Sequence, residues 1–381
     1  MYQNGTYKTL SQETRRILHN RLTLSMNEIE HCTVRCLTFT DNPDSRYSIL
    51  WCAYGQKLKM FNTTTWLCNL NDMLFPSVIT CMCSDACDKL WIGCFDGEVF
   101  IVDTIQLICG TQLTSIQGKG GCQTMTFDTE QNRMLIANRS GFITIWNTHT
   151  RQRLLDINLE EIYKKTYNMQ QKIYKTELLL NIHNPTEEPT INVSSTVLSN
   201  DIISTLSNEL KIIQIYEDLL FACYRDDYIL IFRITTTGTY VYEDIISVKY
   251  QDSSMPINSF LVYNRQLWIS TGYVIYMFNI IYGSKKNSYH LLMKKHLEDD
   301  HLLVMLGFSD YIWAGSSRGN IYIFRMDNYE LVKTLNAHKD GVCCLCSMLN
   351  MYIISGSQEL DTSIIVWENE QITDETSTTQ L

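Results

Sequence analysis

The sequence is short of three things, and each shortage removes a class of protein. Proline occurs 5 times in 381 residues, and Pro43, Pro76, Pro185, Pro189 and Pro256 all lie between the apolar runs, where they interrupt no strand. Basic charge is outnumbered: 31 Lys and Arg against 41 Asp and Glu leave a net charge of -10 and a pI near 5.3. That balance argues against nucleic acid or an anionic membrane surface as the main partner. The pairs Lys285-Lys286 and Lys294-Lys295 read as a solvated outer edge. Long hydrophobic runs are missing as well. The longest nearly uncharged one, "VIYMFNIIYG" (274–283), is too short to span a bilayer, and residues 1–30 lack the shape of a signal peptide. The expectation is a cytoplasmic chain with no direct membrane insertion.

Signatures of catalysis are absent too. "IQGKGGCQT" (116–124) has glycines and Lys119 but no strand, spacing or following helix to aim amides at a phosphate. "HLLMKKH" (290–296) has no Glu base, and no nucleophile elbow is present. The expectation is no enzyme, no catalytic residue and no cofactor. Cysteine, by contrast, is plentiful. The 14 Cys fall mostly inside apolar runs, as Cys81, Cys83, Cys343, Cys344 and Cys346 do, which is the usage of small buried hydrophobes in a reducing compartment. A zinc site at Cys81, Cys83, Cys87 and Cys94 is disfavoured, because Cys81 and Cys83 share one strand face while Cys87 lies in a turn.

What the sequence does contain is repetition. "LWIGCFDGEVFIVD" (90–103) is a hairpin whose turn, Asp96-Gly97, supplies the positive φ that a tight connection needs. The pattern returns at 49–61, 133–146, 219–232, 266–278, 311–324 and 351–367. Its second apolar positions are Trp51, Trp91, Leu135, Phe221, Trp268, Trp313 and Ile353, separated by 40, 44, 86, 47, 45 and 40 residues. Each hairpin has an apolar strand upstream and a more polar one downstream, so the unit is a four-stranded blade. A period of this length predicts an all-β, seven-bladed β-propeller over residues 31–370, between an N-terminal segment, 1–30, and a flexible tail, 371–381.

Two places break the period. The step of 86 implies an insertion, 160–208, between the third and fourth blades. Its first part places Ile162, Met169, Ile173 and Leu180 near one face of a helix, lying along a blade edge or binding a partner. Its second part is rich in Pro, Ser, Thr and Asn and reads as mobile, with Ser194 and Ser195 as conceivable modification sites. The seventh hairpin has no outer strand after it, so "RLTLSM" (21–26) is expected to supply one, with "GTYKTL" (5–10) as the competitor.

Two groups of residues stand out. His338, Ser355, Asp361 and Trp367 form the polar set that locks a WD-repeat blade; the set mimics a catalytic triad, and the structural lock is the preferred reading. Tyr54, Phe95, Arg139, Arg225, Tyr273 and Arg318 follow the second strands, on the rim where hairpin turns and entering loops meet. Such residues are either anchors for a protein partner or shields for the channel mouth.

"LWCAYGQKLKMFNTTTW", "LWIGCFDGEVFIVDTIQLICGTQL" and the stretch from Ile312 to Glu370, ending in "SGSQELDTSIIVWENE", resemble the C-terminal WD-repeat propeller of the DENN domain-containing family of Rab guanine-nucleotide exchange factors. The likeness is strong over 49–113 and 311–370 and weak over 1–30 and 160–210. It implies a scaffold in vesicle traffic with protein partners from the Rab machinery. The family's exchange activity resides in a DENN module not found in these residues. Propellers of Rho exchange factors and Roco-type kinases are similar enough to compete, as is an adaptor of a ubiquitin ligase or coat complex.

Overall fold

In a computed structural model, residues 17–369 are described apart from 24–32, 41–47, 69–71, 114–119, 167–208, 226–227, 248–254, 284–286, 299, 349–350, 359–360 and 362. Among the described residues, twenty-eight strands form seven antiparallel four-stranded sheets. Six are built from consecutive strands, one sheet per predicted hairpin unit. The first strands of neighbouring blades touch one another and make the inner wall of the ring. The chain is therefore a seven-bladed β-propeller.

The packing explains why the middle strands are apolar on both sides. Trp51, Trp91, Trp268 and Trp313 stand on second strands and are at most 2% exposed, each wedged between blades. Three of the indoles find an acceptor nearby: Trp51 Nε1 donates to Thr40 Oγ1 at 2.7 Å, Trp91 to Asp85 Oδ2 at 2.8 Å and Trp268 to Gln266 Oε1 at 3.0 Å. A large apolar body is buried without stranding its polar tip.

One regularity was not visible in the sequence. Every first strand carries a one-residue bulge after its first position, at Arg35, Thr80, Gln123, Lys211, Asn258, Leu303 and Cys343. The extra residue is freed from its own ladder, and at three seams it bonds the next blade. Thr80 Oγ1 donates to the Cys122 carbonyl at 2.6 Å, Lys211 Nζ to Ile257 at 3.2 Å and Cys343 Sγ to Val34 at 2.9 Å. All three acceptors belong to the first residue of the following blade.

The seventh blade closes the ring with a strand from the other end of the chain. Ser363–Asn369 pairs with Ile17–Thr23, from Ile17 opposite Asn369 to Thr23 opposite Ser363. The strand lies in the N-terminal segment but begins four residues before the expected Arg21, and the rival stretch 5–10 lies outside the described residues. A chain starting at residue 24 leaves the edge of Ser363–Asn369 bare. Its thermal melt should broaden and its midpoint fall by about 5–10 °C; a melt superimposable on that of the full chain would disprove closure by this strand.

Candidate protein-interaction rim

The second-to-third-strand turns lie at the same end of each blade as the chain entering that blade, because the first residue of each blade pairs with the last residues of its second strand. Backbone bonds hold this rim together. Phe95 N donates to Val78 O at 2.8 Å, Arg139 N to Gly121 O at 3.2 Å, and Ser317 N to His301 O at 2.9 Å. Turns also capture the next blade: Ile79 N donates to Gly55 O at 2.9 Å and His338 N to Gly319 O at 2.9 Å. Gly319 has a φ of +81°, and a Cβ there would lie 2.3 Å from the His338 carbonyl oxygen, so only glycine allows this approach.

The six predicted rim residues divide into two groups. Phe95 is 55% exposed, with the Arg139 guanidinium 5.6 Å from its ring centroid. Tyr273 is 45% exposed and stands edge-on to His301 at 6.1 Å, and Arg318 is exposed as well. These four present rings and cations to solvent on a rigid backbone. Tyr54 and Arg225 do not. Tyr54 is 2% exposed; its hydroxyl donates to Asp72 and Lys59 lies over its ring at 5.3 Å, so it belongs to the blade wall. Arg225 is 4% exposed and covered by a helix over 159–166, so neither residue can meet a partner in this conformation.

That helix is the described part of the insertion. It rests on the rim rather than along an outer blade edge: Leu159 N donates to the carbonyl of Gly141, in the turn of blade three, at 3.0 Å. Met169, Ile173, Leu180, Ser194 and Ser195 lie outside the described residues, as do Lys285, Lys286 and the tail 371–381.

In the seventh blade the polar set is brought together. His338 Nε2 lies 2.8 Å from Ser355 Oγ, which also accepts from Trp367 Nε1 at 3.0 Å. Asp361 Oδ2 sits 3.5 Å from His338 Nδ1 and accepts from Lys339 N at 2.8 Å. Ser363, which the sequence reading missed, stands 3.1 Å from Nδ1. The four expected side chains and Ser363 are buried. Trp313 packs on Trp367 with centroids 6.5 Å apart, tying the set to blade six.

Blade six has its own network, centred on Asp300, also missed. Its position just before a first strand, like that of His338, was the available signal. Tyr322 OH donates to Asp300 Oδ2 at 2.9 Å and Ser317 Oγ to Oδ1 at 3.1 Å. Burial opposes the carboxylate, but bonds from Ser316, Tyr322, Asn320 and Ser317 outweigh it and hold its pKa below the ordinary value.

Among the described residues no group of three or more His, Cys, Asp or Glu could hold a metal, and no helix is long and apolar enough to cross a membrane. Burial pushes the thiols of Cys83, Cys94, Cys122 and Cys346 up to about 12, so they act as apolar core atoms.

Fold and rim together define a seven-bladed propeller whose one face carries exposed aromatic and cationic side chains from four of its blades. Comparison with known proteins adds two findings. The chain is similar to mouse DENN domain-containing protein 3, with 21% identity over 333 residues, covering 84% of this chain and 22% of that protein, so it spans about a fifth of the relative's length. It shares its fold with the computationally designed protein Ika8, at a TM-score of 0.55 and 14% identity, over 89% of this chain and 97% of that one. No family model matches.

Replacing His338 with Ala should cost about 1–3 kcal/mol in chemical denaturation by taking one buried partner each from Ser355, Ser363 and Asp361; an unchanged midpoint would show that the buried set locks nothing. Asp300 gives a pH signature. Because folding lowers its pKa, its contribution is present above the ordinary value of 3.8 and is lost as pH falls through the folded value. The melting-temperature gap between wild type and Asp300→Asn should be open at pH 7 and shrink below 3.8; a gap that stays constant would mean the carboxylate is not stabilised by its donors.

Proposed function

We propose that this chain is a non-catalytic protein-interaction platform working through the rim, and that it serves as the WD-repeat propeller of a DENN-type Rab exchange factor. The observation that carries the reading is the set Phe95, Arg139, Tyr273 and Arg318. These are exposed aromatic and Arg side chains, the types enriched among interface anchors, held on a backbone that needs no ordering to bind. Similarity to DENN domain-containing protein 3 supports the choice of pathway. On this reading the partners belong to the Rab machinery, and the chain carries no exchange activity of its own.

The test is to change Phe95, Arg139, Tyr273 and Arg318 together to Ala, after confirming an unchanged melt, and compare captured proteins by mass spectrometry. Rab-cycle proteins should be retained by wild type and lost by the variant, and a single Phe95→Ala should weaken a purified partner by about ten-fold. Identical capture by both chains would remove the rim, and ligase or coat subunits in place of Rab proteins would change the pathway. Faster release of labelled GDP from a Rab by this chain alone would refute the absence of exchange activity.

A further inference from the structure

The rim position after the second strand is open in blades two, three, five and six but filled in blade four by the chain itself. The side chain of Asn158 caps the covering helix, accepting from Glu160 N at 3.1 Å and Glu161 N at 3.3 Å. One turn in, Tyr163 is 4% exposed, its ring 6.2 Å from Tyr224 and 5.1 Å from Tyr228. The Arg225 guanidinium lies 4.7 Å from the Tyr163 centroid and 5.7 Å from that of Tyr224. Two tyrosines and a stacked arginine thus form a cradle, and Tyr163 is the plug.

The plug fits incompletely. A buried guanidinium needs a close carboxylate. The carboxylate facing it, Glu160 Oε1, stops at 4.0 Å while Lys164 takes the same atom at 2.7 Å, and Arg225 Nε is buried with no hydrogen-bond partner among the described residues. Glu160 and Tyr163, three residues apart, lie on one helix face, so a single helix can offer carboxylate and ring together. So short a helix is marginal on its own, and being covalently tethered keeps it in place despite the poor fit.

We propose that the cradle of Tyr224, Arg225 and Tyr228 is a docking site for a helix of a partner protein presenting an aromatic ring three residues after a carboxylate, and that residues 159–166 occupy it until displaced. The proposal rests on the rim being an interaction face. A partner helix without a lysine in the place of Lys164 frees its carboxylate to accept from Arg225.

The probe is a labelled peptide of residues 156–168 carrying Lys164→Ala, titrated by fluorescence anisotropy into the full chain. Opening the cradle by Tyr163→Ala should tighten binding by about ten-fold over wild type. Adding Arg225→Ala should abolish the gain, whereas the Phe95, Arg139, Tyr273 and Arg318 variant should bind the peptide as wild type does. No gain in the folded Tyr163→Ala chain would overturn the proposal. Should that chain fail to fold, hydrogen exchange on the wild type decides. Amides 160–166 are expected to exchange about a hundred-fold faster than those of Leu219–Tyr224, and equal protection would mean a helix that does not leave. Peptide binding intact with lysate partners unaffected by the rim variant would sink the rim reading and leave the cradle standing.

Discussion

A ring of sheets has no stable partial form of the same shape, because every blade buries both faces against its neighbours. Everything else therefore depends on the ladder between Ile17–Thr23 and Ser363–Asn369, which joins residues nearly the whole chain apart. The hydrogen bonds from Thr80, Lys211 and Cys343 to the following blade have meaning only in a closed circle. So does the seam at which Cys343 and Cys344 both reach the Val34 carbonyl, joining the last blade to the first.

The blades could be read from the sequence because their signals are local. Asp96-Gly97 marks a turn whatever surrounds it, and Trp at the second apolar position of four of the seven units marks a wedge between sheets. The closing strand was harder to place. "ILHNRLT" has His19, Asn20 and Arg21 in its middle and shows no alternation, and "RLTLSM" was expected only from its position shortly before the first inner strand. Its position is instead set by seven backbone pairs to a partner invisible from local pattern.

The site was half legible for a related reason. Position after a second strand does identify the rim, and Phe95, Arg139, Tyr273 and Arg318 are presented there. Position cannot tell what lies above. Arg225 was indistinguishable from Arg139 in its own hairpin, and only a helix some sixty residues earlier hides it. Ser363, at the start of a strand, and Asp300, just before one, escaped because their roles arise only when segments from different parts of a blade are laid side by side.

The register of the closing pair also fixes where the chain leaves the ring. Ile17 sits opposite Asn369, at the end of the blade away from the hairpin turns, so both exits lie on the face opposite the rim. Tension between the two exits would not shear the ladder as a whole. It would peel the pair open one rung at a time from Ile17 and Asn369, the geometry of a zipper, which yields at low force. The strand that makes the ring whole is thus also the place where a mechanical load would first open it.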